Sequence, residues 1–496
     1  MTARARRAGP VRCPVLRLAL WAALTVSACV AAVPGAEAAA APARAPALAQ
    51  LLLTRADLPP GWKKVTAPKS QVTTRLDCVD TIAHPGKGWR HKEVVFAVGK
   101  GLPFVSEALA TGPDVAATWA RSRAALSNCR SATVTVNGKR DRVTISPLAF
   151  RAKATGTVAT RWQFEATGVE LGIDLIVFRM HRVLGVVSYT DAGTADARNA
   201  AGFAAAAISK AGGGDGTVRG VVSVATAPVR VARTSDGRVG YRQVGSGPPL
   251  VLVMGYSGSM ETWDPQFVDA LAHRFTVVVF DNAGIGKTSS LRAPLTIDAM
   301  AQQTSALISA LHLGRPDVLG WSMGGLVAEA LAVLHPGQVR RLVLCATYPG
   351  TGAVRPPQST VDDLNAGGAR ATAVLFPPGQ KRAATVFAVA LSAYPSSPVP
   401  PKKVVSAQAT AVLQAWAGKD PALERFRRIS APTLVADGAS DRLVPAANAR
   451  RLARGIAGAK LLLYKGAGHA FLFQDLTTFV PAVETFLAGQ PLPSGG

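Results

Sequence analysis

The sequence predicts an α/β fold, a mainly parallel sheet covered by helices on both faces, preceded by a smaller α+β domain. Three observations predict it. From Val218 onward, short apolar runs alternate with helical patterns, as in a parallel sheet with crossover helices. A G-x-S-x-G motif, Gly320-Trp321-Ser322-Met323-Gly324, stands between one such run and a small-residue helical pattern. Upstream of Gly212-Gly213-Gly214-Asp215-Gly216, strand-like runs instead follow one another directly, so a domain boundary falls at this glycine-rich junction.

A chain of 496 residues, 48% of them hydrophobic, can bury two or three cores, which excludes a disordered protein. Residues 1–38 read as a targeting leader: Arg4, Arg6, Arg7, Arg12 and Arg17 with no acid among them, an apolar stretch from Leu18 to Val33, then Ala/Pro-rich sequence. Export is the expected consequence, to the medium or to the outer face of the cell membrane. Val26-Ser27-Ala28-Cys29 resembles a bacterial lipobox, which would lipidate Cys29; Ala36-Glu37-Ala38 fits small-residue cleavage; a retained anchor is the third alternative, with a stretch short for a full span. The formal net charge of +25 stays strongly positive without the leader. It favours an anionic cell-envelope surface as partner, unless the arginine usage only reflects genome composition; no nucleic-acid partner is expected.

Residues 39–47 read as a tether and 48–211 as the α+β domain. A helical period covers Asp114–Leu126. Strand-like runs follow at Thr133–Val136, Val143–Ser146, Arg161–Ala166, Leu171–Arg179 and Val183–Tyr189, and a small-residue helix at Ala195–Ala211 closes the domain. Helices at both ends of sequential strands imply an antiparallel sheet. Cys13 and Cys29 lie in the leader, so Cys78 and Cys129 are the pair expected to form a disulfide in an exported domain, while Cys345 ends an apolar run and reads as buried. His84, His91 and His181 have no serine or cysteine elbow nearby and read as structural or surface residues. Leu58-Pro59-Pro60-Gly61-Trp62 together with the cysteine pair is similar to exported actinobacterial sensor-like or lipoprotein domains, a likeness that implies no chemistry.

After a linker at 212–227, the region 228–490 offers strands at Pro249–Met254, Phe275–Phe280, Pro316–Leu319, Arg341–Cys345, Thr433–Ala436 and Lys460–Tyr464. Helices are expected at Thr262–His273, Ile297–Leu313, Met323–His335, Ala446–Ile456 and Thr477–Leu487. The Ile297 helix is amphipathic, with Ile297, Met300, Thr304, Leu307, Ile308 and Leu311 on one face. Residues 347–428 interrupt the sheet between its sixth and seventh strands; Val386, Val389, Ala390 and Val412, Leu413, Trp416 recur at helical spacing, so the segment reads as a helical cap rather than a disordered insertion. Gly284-Ile285-Gly286-Lys287-Thr288 is no phosphate-binding P-loop, because the required first glycine is Asp281. No Cys/His cluster has metal-ligand spacing, and no cofactor is expected.

With these pieces in place, residues 228–490 resemble the α/β-hydrolase superfamily. Val253-Met254-Gly255-Tyr256-Ser257 resembles its oxyanion loop, Phe280 to Ser289 its D-x-x-G-x-G-x-S turn, Asp437-Gly438-Ala439-Ser440-Asp441 its acid loop, and Gly466-Ala467-Gly468-His469 its histidine loop. Met254 and Ala283 depart from the histidine and arginine that the family often has there. The resemblance implies a carboxylesterase- or lipase-like serine hydrolase in which Ser322 attacks, His469 acts as base, Asp441 orients it, and the N–H groups of Tyr256 and Met323 receive the oxyanion. Asp441 is preferred to Asp437 because it lies beyond the glycine turn, at the G-x-x-D position. The expected substrate is a small-molecule or lipid acyl compound, an ester, thioester, lactone or amide. The expected division of labour leaves chemistry to the triad and substrate choice to the cap. The alternative reading is a catalytically inactive cell-surface binding or scaffold protein with a hydrolase fold.

Overall fold

The computed structural model describes residues 47–66, 72–76, 88–99, 102–136, 139–166, 168–291, 294–350 and 352–492. The leader with Cys13 and Cys29, the tether up to residue 46, and Cys78 lie outside the described residues, and so does the Cys78–Cys129 pairing. Among the described residues no helix is long and apolar enough to cross a membrane. The chain divides into two compact units at Val221/Val222, past the glycine-rich junction. The physical reason is that residues after the glycines still pack on the first unit: Val218 N–H donates to Asp57 O at 2.8 Å.

The first unit is a nine-stranded sheet in the order β1-β3-β4-β9-β8-β7-β6-β5-β2. Its strands are β1 (Lys63–Lys64), β2 (Val72–Leu76), β3 (Arg90–Ala97), β4 (Phe104–Thr111), β5 (Ser131–Val136), β6 (Lys139–Pro147), β7 (Gly156–Ala166), β8 (Val169–Met180) and β9 (Val183–Ala192). Each pairing is antiparallel. Helix α1 (Val115–Asn128) follows β4, and α2 (Ala197–Ala211) is capped by Asp196, whose carboxylate accepts from Arg198 and Asn199 N–H. Trp62, 1% exposed, packs edge-on against Phe203 of α2 with centroids 4.8 Å apart. Sequence patterning passes over β1 to β4. β3 is exposed over its first four residues and buried over its last four, so it never alternates. β4 buries Ser106 and Glu107 within an apolar run. Burial pushes the Glu107 carboxyl up to about 8, although Leu53 N–H donates to it at 2.6 Å.

The second unit is an eight-stranded sheet in the order β10-β11-β13-β12-β14-β15-β16-β17. A hairpin, β10 (Arg230–Thr234) and β11 (Gly237–Val244), leads antiparallel into the parallel strands β12 (Pro249–Val253), β13 (Thr276–Phe280), β14 (Asp317–Trp321), β15 (Leu342–Cys345), β16 (Thr433–Gly438) and β17 (Lys460–Tyr464). The central runs of Val and Leu form strands because β-branched and apolar side chains fill both buried faces. The helices are α3 (Pro265–Ala272), α4 (Ile297–Ala310) and α5 (Met323–Leu334), with α10 (Ala447–Gly455) and α11 (Leu476–Leu487) after the interruption. Between β15 and β16 lie α6 (Gln358–Ala366), α7 (Gly368–Leu375), α8 (Lys381–Leu391) and α9 (Lys402–Trp416). β12 pairs with β13 on one side and β14 on the other, so the strand order reverses there. A crevice opens beyond the carboxyl ends of strands at such a point. The loop after β12 and the turn after β14 meet in it.

Candidate active site

Ser322 joins β14 to α5 at φ +59°, ψ −123°, a conformation that costs a non-glycine residue about 1–3 kcal/mol. Its neighbours hold it there. Ser322 N–H donates to Cys345 O at 2.9 Å, and its own carbonyl accepts from Gly325 N–H at 2.8 Å and from Thr347 Oγ1 at 2.8 Å. The motif glycines are needed for space rather than for φ. A Cβ on Gly320 would lie 2.3 Å from Gly324 O, and one on Gly324 would lie 2.1 Å from Val253 O. Small residues thus let α5 press against β12 and β14, and the first turn of α5 brings the N–H of Met323, which has no partner within the helix, beside Ser322.

The structure brings Asp441 and His469 together. His469 Nδ1 and Asp441 Oδ2 are 2.8 Å apart, and His469 is 2% exposed. Asp441 Oδ1 accepts from Leu443 N–H at 2.7 Å and Val444 N–H at 2.8 Å, which fixes the carboxylate plane. With the proton on Nδ1, the lone pair of Nε2 is free to act as a base. The His469 carbonyl accepts from Trp321 Nε1 at 3.0 Å, and the two rings lie 5.5 Å apart, so the motif residue next to Ser322 also locates the histidine loop. Acid and histidine loops are laced together by Ser440 N–H to Ala467 O at 2.9 Å.

Asp437, at the end of β16, does not bond His469. It is fully buried, and burial first, then the neighbouring Asp441 carboxylate, raise its pKa well above the usual range. The neutral acid is therefore favoured in the fold. Because the folded value lies above the unfolded one, the stability this carboxyl contributes is complete below the unfolded pKa of about 4. It is lost as pH rises toward the folded value. Asp437→Asn does not titrate, so its Tm relative to wild type should rise as the pH is taken upward from about 4. A difference that stays flat above a pH of about 4 would mean that Asp437 ionises normally.

The loop Met254–Gly258 closes the other side. Gly255 lies against the serine, since a Cβ on it would come within 3.2 Å of Ser322 Cβ. Tyr256 N–H donates to no group among the described residues. Asn282 Nδ2 holds the Met254 carbonyl at 2.9 Å, Gln408 Oε1 accepts Ser257 N–H at 2.9 Å, and Tyr256 Oη donates to Asn365 Oδ1 at 3.2 Å. Sequence reasoning missed Asn282, Gln408, Asn365 and the supporting role of Trp321. A signal for Gln408 existed: Val404, Gln408, Ala411 and Ala415 form the buried stripe of α9, and a glutamine on an otherwise apolar stripe needs a partner.

Ser322 and His469 share a cavity of about 390 Å³ with Tyr256 and Met323. Its walls are largely apolar, with Leu326, Tyr348, Val361, Leu364, Val412 and Trp416 among them, and no Asp, Glu, Lys or Arg lines it among the described residues. The remaining histidines of this unit stand elsewhere: His335 Nε2 bonds Gln302 Oε1 at 2.8 Å, His273 caps α3, and His312 follows α4. Among the described residues no group of three His, Cys, Asp or Glu side chains could hold a metal ion.

Residues 250–482 match the model of the family described as "Alpha/beta hydrolase family". The "Putative carbamate hydrolase RutD" of Caulobacter sp. (strain K31) is 32% identical over 270 residues, 52% of this chain and 98% of that protein. The pyrrolizixenacetamide deacetylase of Xenorhabdus hominickii is 28% identical over 276 residues, 53% of this chain and 98% of that protein. The poly(3-hydroxyalkanoate) depolymerase of Ectopseudomonas oleovorans is 28% identical over 249 residues, 48% of this chain and 84% of that protein.

Proposed function

The chain belongs to the alpha/beta hydrolase family, and from that premise we propose that it is a serine hydrolase for uncharged, largely apolar acyl substrates. It would cleave an ester, thioester, lactone or amide through an acyl-serine intermediate. The observation that carries this reading is the His469–Asp441 hydrogen bond at the wall of a cavity that Ser322 shares.

In the proposed mechanism Nε2 of His469 takes the hydroxyl proton as Ser322 Oγ bonds to the acyl carbon, and the carbonyl π pair moves onto oxygen. Such base assistance contributes about 10²- to 10⁴-fold. The N–H groups of Tyr256 and Met323 receive the oxyanion, each worth roughly 3 kcal/mol of barrier. Asp441 stabilises the imidazolium, which returns its proton to the departing alcohol, thiol or amine. Water then repeats the sequence on the acyl-serine and releases the acid. The substrate class follows from the lining, since a charge carried into walls without a counter-charge would lose its hydration uncompensated.

The test is labelling of the full chain with a fluorophosphonate probe, together with turnover of two esters of equal length. Labelling should be complete in wild type and absent in Ser322→Ala, and a neutral hexanoyl ester should exceed one with a terminal carboxylate at least about 10-fold in kcat/KM. An unlabelled wild type would favour the binding or scaffold reading. Preference for the charged ester would overturn the substrate class alone.

A further inference from the structure

The cap holds the backbone of the oxyanion loop. Gln408, on the buried stripe of α9, is 0% exposed, and its Oε1 accepts Ser257 N–H at 2.9 Å. Because the group facing it is an N–H, the amide's oxygen must be the atom that points at the loop. One residue earlier, Tyr256 Oη donates to Asn365 Oδ1 on α6. Two cap helices thus grip two consecutive residues of the loop that carries Tyr256 N–H, the expected oxyanion donor.

The loop needs the grip. Ser257 sits at φ +59°, an uncommon conformation for a non-glycine residue. Its N–H would otherwise be a candidate for the oxyanion in competition with that of Tyr256. The position is also a poor one for stability alone. Gln408 Nε2 is buried without a hydrogen-bond partner among the described residues, so the glutamine serves the Ser257 N–H while leaving a donor of its own unsatisfied.

We propose that Gln408 is a positioning residue of the oxyanion site, so that seating of the cap is a condition of the chemical step as well as of substrate fit. This rests on the serine-hydrolase reading above. It departs from the division of labour expected from sequence, in which the cap sets substrate choice alone.

The test uses the full chain with Gln408→Met, which keeps length but loses the acceptor, and Gln408→Glu, which keeps an acceptor oxygen. Both are assayed on an acetyl and a hexanoyl p-nitrophenyl ester, with the rate and final stoichiometry of fluorophosphonate labelling measured in parallel. Displacing a donor by about 1 Å costs up to about 100-fold, so Gln408→Met should lower kcat about 10- to 100-fold on both esters. KM should stay within about threefold, and labelling should be slower but reach wild-type stoichiometry. Gln408→Glu should recover most of kcat. A Gln408→Met effect confined to KM of the hexanoyl ester would assign Gln408 to the acyl pocket and overturn the proposal, and so would an unchanged kcat in a fully labelled variant. If Gln408→Met does not fold, Gln408→Glu and Asn365→Ala carry the test. Wild-type kcat in Asn365→Ala together with a low kcat in Gln408→Glu would overturn it. Failure of wild type itself to label marks failure of the serine-hydrolase reading instead.

Discussion

Ser322→Ala is expected to lose about 10⁵- to 10⁶-fold in kcat while keeping the wild-type fold, because it removes the nucleophile and nothing that the core uses. The residual rate should still exceed that of water, since the oxyanion N–H groups and the cavity remain. Ser322→Gly makes the sharper comparison. Both variants lack the hydroxyl, but only glycine occupies φ +59°, ψ −123° without strain. Ser322→Gly should therefore be the more stable of the two by about 1–2 kcal/mol in denaturant unfolding, at equally low activity. Equal stabilities would mean that the turn relaxes when the serine is removed. An alanine variant with more than a few per cent of wild-type kcat would remove Ser322 from the mechanism.

Asp441→Asn should lower kcat by up to about 10⁴-fold. The geometry indicates how. Asp441 Oδ1 accepts two backbone N–H groups, from Leu443 and Val444, so in the variant the amide oxygen must take that place. The amide NH2 then faces His469 Nδ1, which has to accept rather than donate. The ring proton moves to Nε2, and no lone pair remains for the serine proton. Asp437→Asn replaces a carboxyl already favoured as the neutral acid and should keep kcat within about tenfold. The reverse ranking, measured on one ester at one pH, would move the acid role to Asp437.

The parallel part of the second sheet was legible because each buried strand is a short, nearly pure apolar run and its helices read from a 3.6-residue period or, in α5, from a run of small and apolar residues. β10 and β11 were not, since they form an edge hairpin with exposed arginines and no apolar run. In the first unit, β3 and β4 escaped because one lacks alternation and the other buries a serine and a glutamate. At the site, the local spacing around Ser322, Asp441 and His469 was readable. What spacing could not give was contact at a distance: Gln408 reaches Ser257 across 151 positions, and only the fold makes them neighbours. The buried stripe of α9 held the one local hint.

The cap is spliced between two strands that are direct neighbours, β15 and β16, with Leu342 opposite Thr433. The sheet thus closes its register whatever the insert's length, and each doubling of such an insert adds only about 0.6 kcal/mol of closure cost. Foldability therefore leaves this segment open to wholesale exchange, and descendants of this chain could acquire new acyl preferences by replacing it. One amide limits that freedom. A transplanted cap without an acceptor opposite Ser257 would fold and bind its new substrate, yet turn it over slowly, so recovery of rate would have to begin at that single position.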